Sequence, residues 1–445
     1  MPSPKPNVRS EHKPVKHGAS ADPSRLKSPV SFYPLLEGEP LSDPVSEGWV
    51  MVYSPTATLL KLPDTMPDAE VVLGRYVRNG EVIVPADYPD ITERMDRGPV
   101  RFYRASFLKE IDAHKYGRLW EYYAFLKLYA SGKRHVVLDE VIAEDRAGKK
   151  GYGKLHTEAF GYLTYGPDYE REVERIFYGF LRDVGAYMHR SLNYPLWERE
   201  HSPKISVITP VKNRARFVGE AIESVLANDF GDWEMVIVDN GSEDGTVEVV
   251  ERYSREDRRI KLVRTSGESL AGCLNLALKH SRGWIVAQLD SDDTYTPWAL
   301  RTLYEYHREH RVGLAVSYYE VVDEDGKVIP DLPVVKHLEY SINNLLRVGG
   351  AGALRSYRRE VLERLGGFDD KNFPHFAEDY DLVLRLSERY PVGRIHSVLY
   401  RYRRHAGSTD ATREYHFKAR TKTAIRWAAI HRRKIYALIG RGALT

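Results

Sequence analysis

From Lys204 onward, short apolar runs alternate with stretches whose apolar residues recur every three or four positions. Ile205-Ser-Val-Ile-Thr209 is a β-rich run, and Phe217, Val218, Ala221, Ile222, Val225 and Leu226 then share one helical face. Met235-Val-Ile-Val238 predicts a second strand ending at Asp239, followed by the loop Asn240-Gly-Ser-Glu-Asp-Gly245 and a helix from Thr246 to about Arg255. Ile260-Lys-Leu-Val263 predicts a third strand, a helix carrying Leu270, Leu274, Ala277 and Leu278 follows, and Trp284-Ile-Val-Ala287 predicts a fourth strand. Strands separated by helices imply parallel pairing with right-handed crossovers, so the expected class is α/β. Beyond residue 293 the pattern changes. Ala315-Val-Ser-Tyr-Tyr-Glu-Val-Val322, Asp325-Gly326 and Lys327-Val-Ile329 predict a hairpin. Helices are expected over 360–365, stopped by Gly366-Gly367, and over 379–389.

The fourth strand runs directly into Gln288-Leu-Asp-Ser-Asp-Asp293. Three carboxylates then sit at the carboxyl end of a strand, where open α/β sheets bind their ligands. Neighbouring carboxylates repel, and a hard divalent cation relieves that repulsion while bridging to substrate phosphates. The string alone leaves open an Asp-rich turn that caps the next helix. Parallel pairing would bring Asp239 to the same sheet edge.

At 445 residues the chain has room for two or three domains. A net charge of +3 points to no nucleic-acid partner. The single cysteine, Cys273, excludes an intrachain disulfide and fits a reducing, cytoplasmic compartment. Residues 1–30, rich in Pro, Ser, Lys and His, lack the apolar core of a secretory signal and are expected to be a flexible basic tail. No run approaches the roughly 18 apolar residues of a membrane span. Residues 413–445 hold nine Lys/Arg and one Glu, with Ile425, Ala428, Ala429, Ile435, Leu438 and Ile439 among them. This basic amphipathic C-terminal helix either lies on anionic lipid, as a peripheral contact at the inner face of a membrane, or packs on its own domain.

Six motifs occur in order between Lys204 and about Thr409: Val207-Ile-Thr-Pro-Val-Lys-Asn213, Val238-Asp-Asn-Gly-Ser-Glu-Asp-Gly-Thr246, Asp290-Ser-Asp-Asp293, Leu365-Gly-Gly-Phe-Asp369, Ala377-Glu-Asp-Tyr-Asp-Leu382 and Tyr402-Arg-Arg-His-Ala-Gly-Ser408. Together they resemble the family-2 glycosyltransferases of the GT-A fold, a Rossmann-like, mostly parallel sheet flanked by helices. In that resemblance Asp290-Ser-Asp-Asp293 matches the DxD signature. One departure stands out: Cys273-Leu274-Asn275 occupies the place where the family often has Ala-Arg-Asn, which puts one diphosphate contact in doubt.

The resemblance implies a metal-dependent, inverting transfer of a sugar from a nucleoside diphosphate sugar to an acceptor hydroxyl. Asp292 is then the direct ligand of Mn²⁺ or Mg²⁺, and His405 is either a further metal ligand or an exposed histidine in a basic loop. Arg401, Arg403 and Arg404 of that loop are candidates for phosphate contact. Asp290 is placed near the ribose, Asp239 at the base or ribose, and Thr209 and Pro210 along the nucleotide pocket. Asp379 is the candidate general base, with Glu378 beside it on the acceptor side. The acceptor is a glycan, a lipid-linked molecule or a small molecule. The oligomeric state is not readable.

Residues 31–200 form an additional N-terminal α/β domain, 201–412 the transferase domain and 413–445 the terminal helix. The N-terminal part is rich in aromatics, holds the hairpin signal Asn79-Gly80, and echoes the acceptor half. Gly80-Glu-Val-Ile-Val-Pro85 parallels Gly326-Lys-Val-Ile-Pro330, Tyr103-Arg104 parallels Tyr357-Arg358, and Glu121 falls opposite Asp379. It is expected either to be a degenerate GT-A-like module without a nucleotide half or to share these features by chance. A helix over about 168–194 joins the two parts. Three other readings stand beside the inverting transferase: a nucleotidyltransferase, for which Pro210-Val-Lys-Asn213 lacks a glycine-rich phosphate loop; a sugar-nucleotide-binding module without transfer activity; and a retaining transferase.

Overall fold

A computed structural model describes residues 32–41, 47–92, 95–146, 167–197, 199–330, 332, 334–336, 341–349, 352–408 and 412–442. The expected tail, residues 1–30, lies outside the described residues. The chain divides into two compact units, 1–89 with 93–157 and 90–92 with 158–445.

The first unit is a seven-stranded mixed sheet. Its strands are β1 (Phe32–Leu36), β2 (Trp49–Tyr53), β3 (Ala57–Leu59), β4 (Val71–Arg78), β5 (Glu81–Ile83), β6 (Val100–Arg104) and β7 (Val136–Asp145), ordered β1-β2-β6-β4-β7-β3 with β5 on β4. Asn79-Gly80 makes the expected two-residue turn, with Arg78 opposite Glu81 and both turn residues at positive φ. Helices α1 (Ala105–Glu110) and α2 (Trp120–Ala130) follow β6, and α2 buries Trp120, Phe125 and Leu128.

The second unit opens with α3 (Pro167–Asp183), shorter than the 168–194 expected because Gly185 takes a left-handed conformation just beyond it. Then come β8 (Ile205–Val211), α4 (Val218–Leu226), β9 (Trp233–Asn240), α5 (Thr246–Glu256), β10 (Ile260–Thr265), α6 (Leu270–His280) and β11 (Ile285–Gln288). Each predicted strand and helix of this half is present. β10, β9, β8 and β11 pair in parallel, and the runs of β8, β9 and β11 are buried almost throughout, as strands covered on both faces must be.

Beyond β11 the chain forms β12 (Thr294–Tyr295), α7 (Ala299–Glu309), β13 (Leu314–Val322), α8 (Leu345–Val348), β14 (Arg355–Arg358), α9 (Arg359–Leu365), α10 (Glu378–Arg389), β15 (Val392–Arg403) and α11 (Tyr415–Gly442). The sheet continues β11-β14-β13-β15-β12. The hairpin expected after β13 is reduced to isolated bridges, Val322 with Val328 and Tyr319 with Val335. Asn275 of α6 staples the turn after α9, because its Nδ2 donates to Phe368 O and its Oδ1 accepts from Phe368 N–H, both at 2.9 Å. Gly367 is required there: its φ is +75°, and a Cβ would meet Asn275 Oδ1 at 2.4 Å.

His307 of α7 is buried at 1% exposure and shares a hydrogen bond with Ser356 Oγ at 3.0 Å. Burial pushes its imidazole down to about 3, and the charge of Arg358 acts in the same direction. Below pH 6.5 the unfolded chain takes up a proton that the folded one excludes, so stability is lost as pH falls from about 6.5. A His307→Gln variant is expected to show a flatter loss between pH 6.5 and 5 in chemical denaturation, by up to about 1.4 kcal/mol per pH unit. An unchanged slope would show that another group carries the dependence.

Candidate functional site

The carboxyl ends of β8, β9 and β11 lie side by side. Pro210 pairs with Val238 and Val211 with Asp239, while Gln288 pairs with Ile208. Thr209 and Asp239 are buried at this edge, and each has an atom without a hydrogen-bond partner, Thr209 Oγ1 and Asp239 Oδ1. The other oxygen of Asp239 accepts from the N–H groups of Gly241 and Ser242 at 3.2 Å. The loops after β8 and β9 brace each other. Asn213 N–H donates to Ser242 Oγ, Glu243 N–H to Asn213 Oδ1 and Ala215 N–H to Asp244 Oδ2, at 2.9–3.1 Å.

The three aspartates after β11 separate into distinct environments. Asp293 is 2% exposed and held on both oxygens, by Arg403 N–H and by the Tyr400 hydroxyl, each at 2.7 Å. Burial drives its carboxyl well above the usual range, and the charges of Asp292 and Asp290 add to the shift. Asp290 accepts from Gln288 Nε2 at 3.1 Å, and its backbone N–H donates to Tyr400 Oη. Burial pushes its carboxyl up to about 6 against the pull of Arg355. Asp292 behaves oppositely. Burial raises its carboxyl, but the His405 hydrogen bond and the Arg214 charge outweigh that effect and leave it below the ordinary value. His405 Nε2 lies 2.9 Å and Arg214 Nε 3.3 Å from the same oxygen, Asp292 Oδ2.

Asp379 occupies the first turn of α10, after Ala377, a non-glycine residue at φ +60°. Its Oδ2 pairs with Arg355 Nη1 at 2.8 Å, its Oδ1 accepts from Tyr380 N–H at 2.6 Å, and 26% of the side chain is exposed. Glu378 is 4% exposed. Burial first, and Asp379 next, push its carboxyl well above the ordinary range. Arg355 is itself buried. Asp379 and Asp290 hold its guanidinium charged against burial, and its Nε has no hydrogen-bond partner.

Asp292 and His405 are therefore in direct contact, and Asp290 and Asp379 share the field of Arg355. Among the described residues no three His, Cys, Asp or Glu side chains group as a metal cage. The carboxylate of Asp292 nonetheless suits Mn²⁺ or Mg²⁺, ions that take few protein ligands and complete their shell with water and phosphate, and the neutral imidazole of His405 suits Mn²⁺ better than Mg²⁺.

Sequence reasoning missed Arg355 and Arg214, because the partner of each lies far along the chain. It also misjudged Arg403, a candidate for phosphate contact. That side chain is occupied by Asp292 O, Glu324 O and Glu220 Oε2 at 2.5–2.8 Å, while Arg401 pairs with Glu320. Leu274, where the family often has arginine, is fully buried. Cys273 beside it is buried too, its thiol pushed up to about 11 by burial and by the charges of Glu268 and Asp239.

Residues 206–366 match the model of glycosyl transferase family 2. The hyaluronan synthase of Pasteurella multocida is 25% identical over 58% of this chain and 27% of its own length. The chondroitin synthase of Escherichia coli is 26% identical over 48% of this chain and 32% of its own length. The chain thus spans about a third or less of these curated relatives. A crystal structure of S. aureus TarS 1-349 in complex with UDP-GlcNAc shows 21% identity over 47% of this chain and 61% of that one, with a TM-score of 0.41.

Replacing Tyr400 by Phe removes the donor to a carboxylate that stays buried. The Tyr400→Phe variant is expected to lose about 1–3 kcal/mol in urea unfolding. A loss below about 0.5 kcal/mol would show that Arg403 N–H alone suffices for Asp293.

Proposed function

Through residues 206–366 this chain belongs to the family-2 glycosyltransferases and has their GT-A fold, and we propose that it transfers a sugar from a nucleoside diphosphate sugar to an acceptor hydroxyl, with inversion and with help from a divalent cation. The observation that carries the reading is the contact of Asp292 with His405 at the edge that holds Asp239 and Asp290, with Arg355 between Asp290 and Asp379. In this reading Thr209, Pro210 and Asp239 receive the nucleoside. The unpartnered Thr209 Oγ1 and Asp239 Oδ1 are the atoms such a ligand would satisfy. Asp290 lies toward the ribose.

Asp292 and His405 would hold Mn²⁺ or Mg²⁺, which supplies neutralisation of the charge that develops on the departing diphosphate. Arg214, beside Asp292, adds a cation on the same side. Asp379 accepts the proton of the acceptor hydroxyl as that oxygen bonds to the anomeric carbon. The bond from that carbon to the diphosphate oxygen breaks, and its electron pair leaves with the diphosphate. Attack on the face opposite the leaving group inverts the centre. Glu378, which burial keeps protonated to higher pH, would leave Asp379 as the carboxylate that takes the proton.

The acceptor, by the same reading, is a glycan, a lipid-linked molecule or a small hydroxyl compound. Among the described residues no helix is long and apolar enough to cross a membrane. We place the protein in the cytoplasm, with contact at the inner face of a membrane through α11, whose Ile435, Leu438 and Ile439 are exposed.

The test is nucleoside diphosphate release from UDP-, GDP- and dTDP-sugars with Mn²⁺, Mg²⁺ or EDTA. One donor should be consumed, EDTA should stop its turnover, and Asp292→Ala should lower the rate about 10²-fold or more. Asp379→Asn should lose about 10²–10⁴-fold in transfer while binding the donor as before. A chain that neither binds nor consumes any of these donors would remove the reading.

A further inference from the structure

The sheets of the two units share one plan. In the second unit β11 is antiparallel to β14, β14 to β13, β13 is parallel to β15, β15 is antiparallel to β12, and β8 flanks β11 in parallel. In the first unit β2, β6, β4, β7 and β3, with β1 on β2, repeat every one of these relations in the same chain order. The registers agree residue by residue. Trp49 faces Arg104 as Ile285 faces Arg358. Tyr103 stands between Val50 and Val71 as Tyr357 stands between Val286 and Leu314. Arg101 is opposite Leu73 as Arg355 is opposite Val316. The parallel pairs β4–β7 and β13–β15 both shift register in mid-strand. Two unrelated α/β segments have no reason to agree in pairing, direction, chain order and register at once.

What differs is the donor side. Counting forward from Trp49 and Ile285 sets Ser54, Thr56 and Ala57 where the second unit has Asp290, Asp292 and Asp293. Among the described residues β1 is the edge of its sheet, whereas β9 and β10 lie outside β8. Both units keep an arginine of one strand on a carboxylate of the second α-helix that follows it. Arg101 Nε and Nη2 donate to Glu121 at 2.8 and 3.0 Å, and Arg355 Nη1 pairs with Asp379 at 2.8 Å. One methylene separates the two. The Tyr103 hydroxyl also donates to Glu121 Oε1 at 2.5 Å. The shorter Asp379 leaves the Tyr357 hydroxyl without a hydrogen-bond partner and is itself twice as exposed, 26% against 13%.

We propose that the first unit is a second copy of the transferase sheet that has lost its donor half, and that the pair common to both copies makes Arg355 the residue that positions Asp379. The arginine fixes the carboxylate against the sheet. Only the second unit combines a short, more exposed carboxylate with an acidic loop. The first unit takes no nucleotide and contributes no base. The second clause rests on Asp379 being the base.

The test uses the full chain and the donor identified by nucleotide release. Bound nucleoside diphosphate is counted by calorimetry, and kcat, donor KM and melting temperature are measured for Arg355→Ala, Arg355→Lys, Arg101→Ala and Glu121→Gln. The expected stoichiometry is one nucleotide per chain. Arg355→Ala should lower kcat about 10²-fold with donor KM within about twofold, as a misaimed base does. Arg355→Lys, and millimolar guanidinium added to Arg355→Ala, should restore part of the loss, which a merely structural defect would not allow. Arg101→Ala and Glu121→Gln should lower the melting temperature and leave kcat unchanged. Two nucleotides per chain, or a loss of kcat in Glu121→Gln, would overturn the assignment of the first unit. An Arg355→Ala enzyme with normal kcat, or one that neither lysine nor guanidinium restores, would overturn the positioning role. A wild-type chain that consumes no donor would instead overturn the transferase reading.

Discussion

Asp293 is the constraint on which the site depends. Its two oxygens join the turn after β11 to Tyr400 and Arg403 of β15, so two elements more than a hundred residues apart meet at one buried carboxyl group. Burial and its acidic neighbours oppose ionisation there, and the hydroxyl and backbone N–H it gains satisfy its oxygens without a second full charge. The hold on Asp293 sets where Asp290 and Asp292 stand. Asp292 then faces His405, two residues beyond β15, and Asp290 lies in the field of Arg355 from β14. Three aspartates within four residues thus become one anchor, one carboxylate kept ionised and one raised toward neutrality.

Much of this was legible in the chain. The parallel half is written in short, unbroken apolar runs with helices between them, and such runs have few other solutions than strands covered on both faces. The acidic string and Asp239 could be placed on one edge because parallel strands put their carboxyl ends together. Periodicity also gave α10, and Asn79-Gly80 gave its hairpin, since a two-residue turn is a local matter.

The rest was not local. Arg355 draws its meaning from Asp379 on a later helix, Arg214 from Asp292 across 78 residues, and Arg403 from three partners on other segments. A basic residue on a strand carries no sign of which carboxylate it will meet, so Arg403 could be read as a phosphate contact when it is a brace. The same limit explains the hairpin after β13. Its alternation is correct, yet β13 is held by β14 and β15 on either side, and the returning segment keeps only isolated bridges.

The single cysteine has a use that concerns neither fold nor reaction. Cys273 sits on α6, which packs on β8 and β9, and its buried thiol holds its proton to about pH 11. A thiol in that state is inert toward alkylating reagents as long as the helix stays in place. Modification at neutral pH must therefore pass through an opening of α6. The native chain contains its own clock for that opening, read by the mass added at one sulfur, without a mutation.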